Sequence, residues 1–296
     1  MQVIVFGAGS LGSLAGGLLA SVHDVTLVGR DPHVERVRRD GLRIVGAVED
    51  QIAPAATTTV PDVAFDLAVV AVKAFDTDAA ADALATVDLG GALSLQNGLG
   101  NETRLADALD CPVLAGTCTY GARLLGPGRV ECTGCGDVAL GPPDGGVSTA
   151  ADDVGDAFRA ADIETTVAAD MPRRLWEKLA VNAGINAVTA LARVENGALV
   201  DSPARRPARD AAIEAARVAR ERRIDLSDEA AASAVERVAD ATAANRSSML
   251  QDVDAGERTE VDAINGAVVE RADQPVPVNE TLTALLRAWE RERGVR

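Results

Sequence analysis

Residues 2–12 read QVIVFGAGSLG, and this stretch decides the fold. Gln2 to Phe6 is a short apolar run of strand type. Gly7-Ala8-Gly9-Ser10-Leu11-Gly12 is G-x-G-x-x-G, and Ser10 to Ala20 reads as a helix of small residues. Strand, glycine turn and helix, in that order, let a chain turn tightly and bring a pyrophosphate close to backbone amides at a helix N-terminus. The bare motif also occurs as a structural turn, but this context favours a dinucleotide. Gly7, Ala8, Gly9, Ser10, Leu11 and Gly12 are therefore the first candidate binding residues.

Working outward, the next strand is predicted over 24–28 and ends Leu27-Val28-Gly29-Arg30. An acidic residue at this place would hold the ribose 2′-hydroxyl of NAD. An arginine suits a 2′-phosphate, so Arg30 points to NADPH, although Asp31 follows directly. A helix is expected near 32–39 and strand pieces at 42–45 and 49–53. Residues 66–72 (DLAVVAV) are apolar on both faces and read as a buried strand. LSLQNG at 93–98 is another strand end. This alternation predicts a parallel sheet with helices on both sides. Residues 112–141 are short strands punctuated by glycines and read as an antiparallel addition to the sheet edge. After a helix near 148–161 and a strand near 163–168, the text is helical to the end, with apolar residues at helical spacing in 203–222 and 228–244. The expected architecture is α/β: an N-terminal Rossmann-like dinucleotide-binding domain over 1–169, followed by an all-α domain over 170–296.

The composition limits the chemistry. The 296 residues carry 45 Asp plus Glu against 29 Lys plus Arg, a net charge of −16. Only two of the basic residues are lysines, Lys73 and Lys178, and the only histidines are His23 and His33. A Ser-His-Asp hydrolase or a His-rich metal site has almost no material here. The acidic excess argues against nucleic acid or an anionic membrane as partner. No apolar run approaches the roughly 20 residues of a membrane span, and no charged leader with a cleavage site precedes the first strand, so a cytoplasmic enzyme is expected. Few lysines, many arginines and abundant acid resemble proteins adapted to a salt-rich cytoplasm, where charge repulsion is screened. That reading predicts unfolding on dialysis into low salt, and an unchanged melting curve there would reject it. Helices of small residues such as 203–244 are candidates for a homodimer interface.

Residues 175–191 read LWEKLAVNAGINAVTAL. Lys178, Asn182 and Asn186 are spaced i, i+4, i+8, which places them within an arc of about 80° on one helix face. A solvated stripe is the bland alternative, yet solvated positions in this chain use Arg and Glu, and Asn is a mediocre helix former. An ammonium can donate a proton to a developing alkoxide, and carboxamides can both donate to and accept from a small polar substrate.

Cys132-Thr133-Gly134-Cys135 is C-x-x-C, with Cys111 and Cys118 upstream. A four-cysteine zinc site would normally show two close pairs. Here the first pair is too far apart in sequence, and the second lies on a strand where i and i+3 point to opposite faces. Buried or half-buried reduced thiols are expected, and no metal.

The chain resembles the ketopantoate reductase (2-dehydropantoate 2-reductase) family. The likeness is carried by GAGSLG at 7–12, VK at 72–73, LQNGLGN at 95–101, WEKLAVNAGINAVTAL at 176–191 and NRSSMLQDVDAGERTEVDAINGAVV at 245–269. It implies NADPH-dependent reduction of 2-dehydropantoate to (R)-pantoate, in pantothenate and coenzyme A biosynthesis, with the active site in a cleft between the two domains. It implies that Lys178 is the general acid and that Glu260 binds the substrate hydroxyl and helps position Lys178. Asn182 and Asn186 would hold substrate polar groups, and Ser248 the carboxylate. Asn97 would stand by the nicotinamide ribose, Lys73 near the cofactor, and Arg30 at the 2′-phosphate. Plainer readings stand beside these. Lys73 could pair with Asp76, Ser248 could cap a helix, and Glu260 could complement the dipole of a helix begun by Thr259-x-x-Asp262. A same-fold reductase of another branched 2-keto acid is a second functional reading. A noncatalytic NADP-binding sensor is a third, though it has no use for a general acid.

Overall fold

The apolar run at the start of the chain forms β1 (Gln2–Phe6), and the glycine turn leads into α1 (Ser10–Leu19). The computed structural model describes residues 1–296. The chain folds as two units, one of Met1–Gln96 with Gly100–Met171 and one of Asn97–Leu99 with Pro172–Arg296.

In the first unit, α1 is followed by β2 (Asp24–Val28), α2 (His33–Asp40), β3 (Leu42–Gly46), β4 (Asp50–Ile52), β5 (Ala55–Thr57) and β6 (Leu67–Val70). Then come α3 (Thr77–Leu84), β7 (Ala92–Ser94), α4 (Asn101–Ala108), β8 (Val113–Cys118), β9 (Gly121–Gly126) and β10 (Arg129–Gly134). The unit closes with β11 (Val138–Gly141), α5 (Thr149–Ala160) and β12 (Thr165–Val167). Eight strands form one sheet in the order β12-β11-β8-β7-β6-β1-β2-β5. β5, β2, β1, β6, β7 and β8 run parallel, with Val5 opposite Leu27 on one side and Val69 on the other. The strand order reverses between β1 and β6, which is where open α/β sheets bind ligands beyond their strand ends. Both strands are apolar on both faces because helices cover each side. Val3, Val5, Leu27, Val69 and Leu93 pack with α1 and α5, and Ile4, Ala68 and Val70 pack with α3 and α4.

The glycine-rich stretch 112–141 differs from the sequence reading. β8 extends the sheet in parallel, and only β11 adds antiparallel to it. β9 and β10 join β3 and β4 in a separate four-stranded sheet, ordered β4-β3-β10-β9. Leu42 and Ile44 of β3 and Val130 of β10 are buried with Leu14 and Ala15 of α1. This second sheet covers the face of α1 that the main sheet leaves open. Strand signals in the sequence were correct here, but pairing is chosen by which apolar face needs cover.

His33 lies outside every motif, yet it joins these pieces. Gly128 N donates to its Nδ1 at 3.1 Å, so Nε2 carries the proton and meets Ser13 Oγ at 3.1 Å. The ring is buried, and burial lowers its pKa below the ordinary 6.5.

In the second unit, Met171-Pro172 open α6 (Met171–Ala192). It is followed by α7 (Ala198–Asp201), α8 (Arg205–Glu221), α9 (Asp228–Ala241), α10 (Ser248–Ala255), α11 (Asn265–Arg271) and α12 (Pro277–Arg293). One cluster built largely of alanine holds them together: Ala180, Ala183 and Ala187 of α6 meet Ala208, Ala211, Ala212 and Ala215 of α8. With so few aromatics, close approach of small-residue faces supplies the contact that large side chains give elsewhere. The buried small residues of α8 and α9, among them Ala211, Ala215 and Ala231, pack within the chain. No helix is long and apolar enough to cross a membrane.

Candidate active site

The glycine turn has the shape a phosphate chain requires. Gly7 has φ +110°, and a Cβ there would lie 2.7 Å from Val72 N. A Cβ on Gly12 would lie 2.0 Å from Gly7 O, so α1 leaves β1 with no space for a side chain. A Cβ on Gly9 would meet nothing within 4 Å, so the outer side of the turn is open. Gly9 is the N-cap of α1 and offers no side-chain cap. The first-turn amides of a helix have no partner within it and favour an anion. An open cradle lined by such amides fits the pyrophosphate of a dinucleotide. Ser10 is already engaged, since its Oγ accepts from Leu124 N at 3.1 Å.

At the end of β2, Asp31 Oδ1 accepts from Glu35 N at 3.1 Å and so caps the start of α2. Arg30 extends into solvent with a side chain 90% exposed, held loosely by Asp76 at 3.5 Å. The acid that clouded the cofactor reading is thus occupied by the backbone, while the guanidinium is accessible.

Lys73 follows β6 directly after Val72 and is the N-cap of a single 3-10 turn, Ala74–Asp76. Three buried polar residues hold this loop. Gln96 Nε2 donates to Val72 O (3.2 Å) and to Thr77 Oγ1 (2.7 Å). Thr77 Oγ1 also stands 2.9 Å from Ala74 O and 3.0 Å from Asn101 Oδ1. Gln96 and Asn101 lie inside the LQNGLGN stretch, but only Asn97 of that run was singled out by the sequence reading. Their burial is what reveals them.

In the helical unit, α6 runs unbroken from Met171 to Ala192, so Lys178, Asn182 and Asn186 share one face. Lys178 and Asn182 are half-buried and Asn186 is buried. Leu179, Ala180, Ala183 and Ala187 pack into the core and fix the rotation of the helix.

Glu260 is buried, and Asn97 Nδ2 donates to its Oε2 at 3.0 Å. Asn97 is brought there by Gly98, whose φ of +89° and absent Cβ allow it within van der Waals reach of Ala263 O; a Cβ would lie 2.4 Å away. Glu260 is not in the first turn of a helix, because residues 261–264 form a turn and α11 begins at Asn265. Thr259 Oγ1 accepts from Val261 N at 3.3 Å in a local turn, and the residue's own donors go to a distant acceptor. Thr259 N and Oγ1 both donate to Glu290 Oε1, at 2.9 and 2.6 Å. Glu290 is fully buried on α12 and also accepts from Arg296 at 2.7 Å. Asp262 is ringed by Arg258, Arg287 and Arg296 at 3.5, 2.8 and 2.7 Å. Burial alone would push its carboxyl up, but the hydrogen bonds from Arg287 and Arg296 outweigh it and the net shift is downward. Glu290 and Asp262 thus clamp the loop on both sides of Glu260. No spacing in the sequence links 259–262 to 287–296.

Ser248 is exposed at the first position of α10. The cap expected of it belongs to Ser247, whose buried Oγ accepts from Leu250 N at 3.1 Å and lies 2.7 Å from Thr189 Oγ1. The hydroxyl of Ser248 is therefore not the one consumed by the helix end.

No group of three or more His, Cys, Asp or Glu side chains stands together where it could hold a metal ion.

With this arrangement in view, two descriptions match the chain: "Ketopantoate reductase PanE/ApbA" over residues 3–145, and its C-terminal counterpart over 170–290. A 2-dehydropantoate 2-reductase of Halobacterium salinarum is 45% identical across 99% of this chain and 100% of its own.

The chain belongs to the ketopantoate reductase family.

Membership makes it an oxidoreductase that works with a nicotinamide dinucleotide on a small keto acid. Among solved structures, a family member from Ralstonia eutropha superposes with a TM-score of 0.90 at 31% identity, covering 99% of this chain and all of its own. D-mandelate dehydrogenase in a ternary structure with NADH and anilino(oxo)acetate superposes with a TM-score of 0.93 at 25% identity, over the full length of both.

Proposed function

We propose that the protein reduces 2-dehydropantoate to (R)-pantoate with NADPH, the step that supplies pantoate to pantothenate and coenzyme A synthesis. The observation that carries this reading is the single face of α6 that aligns Lys178, Asn182 and Asn186. Bound NADPH supplies the hydride from nicotinamide C4. Residues 7–12 hold the pyrophosphate against the first turn of α1, and Arg30 pairs with the 2′-phosphate. Lys73 contributes positive charge near the cofactor, and Asn97 stands by the nicotinamide ribose.

Lys178 donates a proton from Nζ to the C2 carbonyl oxygen as negative charge develops there. An arginine could not do this, because a guanidinium stays protonated above pH 12 whereas an ammonium can be tuned downward. Glu260 accepts a hydrogen bond from the substrate hydroxyl and helps position Lys178. Asn97 keeps its carboxylate in one orientation. Asn182 and Asn186 bind the remaining polar groups of the substrate, and Ser248 donates to its carboxylate.

The resemblance to D-mandelate dehydrogenase with NADH supports one second reading, reduction of another branched 2-keto acid on the same scaffold. NADPH consumption with 2-dehydropantoate tests the first reading. A kcat/KM series over several 2-keto acids, with NADPH and with NADH, decides between the two.

A further inference from the structure

The segment that carries Glu260 is held on both sides by one helix. Thr259, before it, donates to Glu290 near the end of α12. Asn265, after it, donates from Nδ2 to Asn279 Oδ1 near the start of α12, at 2.9 Å. Between these two points the chain forms one tight turn. Glu260 O accepts from Ala263 N and Ile264 N at 3.1 Å each, and Val261 O accepts from Gly266 N at 2.8 Å. The backbone of Glu260 therefore goes where Asn265 is fixed.

Asn265 is fixed to α6. It is fully buried, and its Nδ2 also donates to Ala183 O at 3.0 Å. Ala183 directly follows Asn182 on the helix that carries Lys178, Asn182 and Asn186. A carbonyl can only accept, so Ala183 O fixes which way the amide points. Both amide hydrogens are in use, whereas Asn265 Oδ1 has no partner. For packing alone an apolar residue would serve better here, because an unsatisfied buried acceptor costs stability. The two donors are what this position uses.

The far side of the amide pair is equally built. Asn279 is fully buried, and its Nδ2 donates to Ala211 O at 3.0 Å and to Glu214 Oε2 at 2.8 Å, both on α8. α12 has no side-chain cap of its own. Buried Glu214 takes that place, accepting from Val278 N and Asn279 N at 2.9 Å each. A carboxylate at a helix N-terminus is favourable, so Glu214 holds Asn279, and through it Asn265.

We infer that Asn265 is a positioning residue of the reductase site, whose amide hooks the Glu260 turn to α6 and sets that carboxylate in register with the helix of Lys178. The inference rests on the roles proposed above for Lys178 and Glu260. Asn265 acts through Glu260 and α6 and takes no part in proton or hydride transfer.

The experiment compares kcat for 2-dehydropantoate with the Kd for NADPH in Asn265→Leu, which keeps the bulk and removes the donors. kcat should fall by about 10-fold to 10²-fold through misplacement of Glu260, with the Kd for NADPH unchanged. Leu226→Ala, a packing change in the same helical core, is the control. It should lower the unfolding midpoint and leave kcat of the folded chain as it was. A near-native kcat in Asn265→Leu, or a Kd for NADPH that worsens in step with kcat, overturns the inference. If Asn265→Leu does not fold, Asn265→Leu combined with Asn279→Leu replaces both amides and orphans neither, and the same fall in kcat is expected. In the native chain, nitrogen-labelled at asparagine, the Nδ2 protons of Asn265 should exchange with solvent far more slowly than those of exposed Asn245. Equally fast exchange overturns the inference without any variant. The underlying reading fails differently: a native chain inactive on 2-dehydropantoate, or Lys178→Ala with native kcat, removes it and this inference together while the Asn265 protons stay protected.

Discussion

The glycine turn of the first unit and the Thr259–Asp262 loop of the second build their sites by opposite means. The turn is made of backbone. Its shape comes from missing side chains at Gly7, Gly9 and Gly12, and its helix end has no side-chain cap. The loop is made of side chains. A buried carboxylate, Glu260, is oriented by Asn97, while Glu290, Asp262 and three arginines hold the segment that carries it. A backbone site is local in sequence and tolerates almost no substitution at its centre. A side-chain site draws on distant segments and depends on each partner being satisfied, because an orphaned buried charge costs more than the pair contributes.

The sharpest way to break this comparison is at the proposed proton donor. Lys178→Ala should lower kcat for NADPH-dependent 2-dehydropantoate reduction by a factor on the order of 10²–10⁴ while the chain stays folded. A near-normal kcat would end the assignment of Lys178 as the acid. Glu290→Ala should act at a distance. It strips Thr259 N, Thr259 Oγ1 and Arg296 of their buried acceptor, and denaturant titration should show a loss of about 3–5 kcal/mol. Glu290→Gln keeps an acceptor for Thr259 and should lose less. Equal stability in both variants would mean that the loop is not held this way.

The glycines give an internal contrast. Gly12→Ala forces its Cβ against Gly7 O and should cost about 1–3 kcal/mol of stability. Gly9→Ala meets open space, so its melting curve should change by less than about 0.5 kcal/mol. Its Kd for NADPH should nevertheless rise roughly tenfold, about 1.4 kcal/mol, because the Cβ occupies the phosphate cradle. Unchanged NADPH affinity in Gly9→Ala would remove the pyrophosphate from the turn. Arg30→Ala should weaken NADPH by about tenfold, again about 1.4 kcal/mol, and leave NADH nearly unaffected. Parallel loss for both cofactors would count against a 2′-phosphate contact.

The smallest effect is one of pH, and it belongs to the first unit alone. His33 is buried with its pKa lowered, so the unfolded chain binds its proton first as pH falls. Its contribution to stability is present above about 6.5, the ordinary value, and is lost as pH falls from there through the lower folded value. His33→Gln should flatten that part of the stability profile. An unchanged slope below pH 6.5 would place the proton uptake elsewhere.

The glycine turn and the shared face of α6 were legible because each is built from neighbours in sequence. G-x-G-x-x-G after an apolar run specifies strand, turn and helix through glycine geometry alone, and the i, i+4, i+8 spacing of Lys178, Asn182 and Asn186 follows from helix pitch. The plainer alternatives for two residues meet a common fate. Ser247, not Ser248, caps α10, and Glu260 precedes a turn and does not sit in the first turn of a helix. Each depends on a shift of one or a few residues at an element end, where hydrogen bonds to distant partners decide. Ser247 is chosen by Leu250 N and by Thr189, and the segment of Thr259 is held by Glu290.

The amino-acid sequence by itself determined the two kinds of element and the family. It also narrowed the candidates for a proton donor, since the chain has only two lysines. Those properties depend on periodicity and residue type, which are local. Only the tertiary structure decided that β9 and β10 leave the main sheet to cover α1, that His33 ties them to α2, and that Arg296 and Glu290 secure the loop of Glu260. Those outcomes come from buried polar groups and apolar faces finding partners far along the chain, and no local pattern encodes which partner satisfies them.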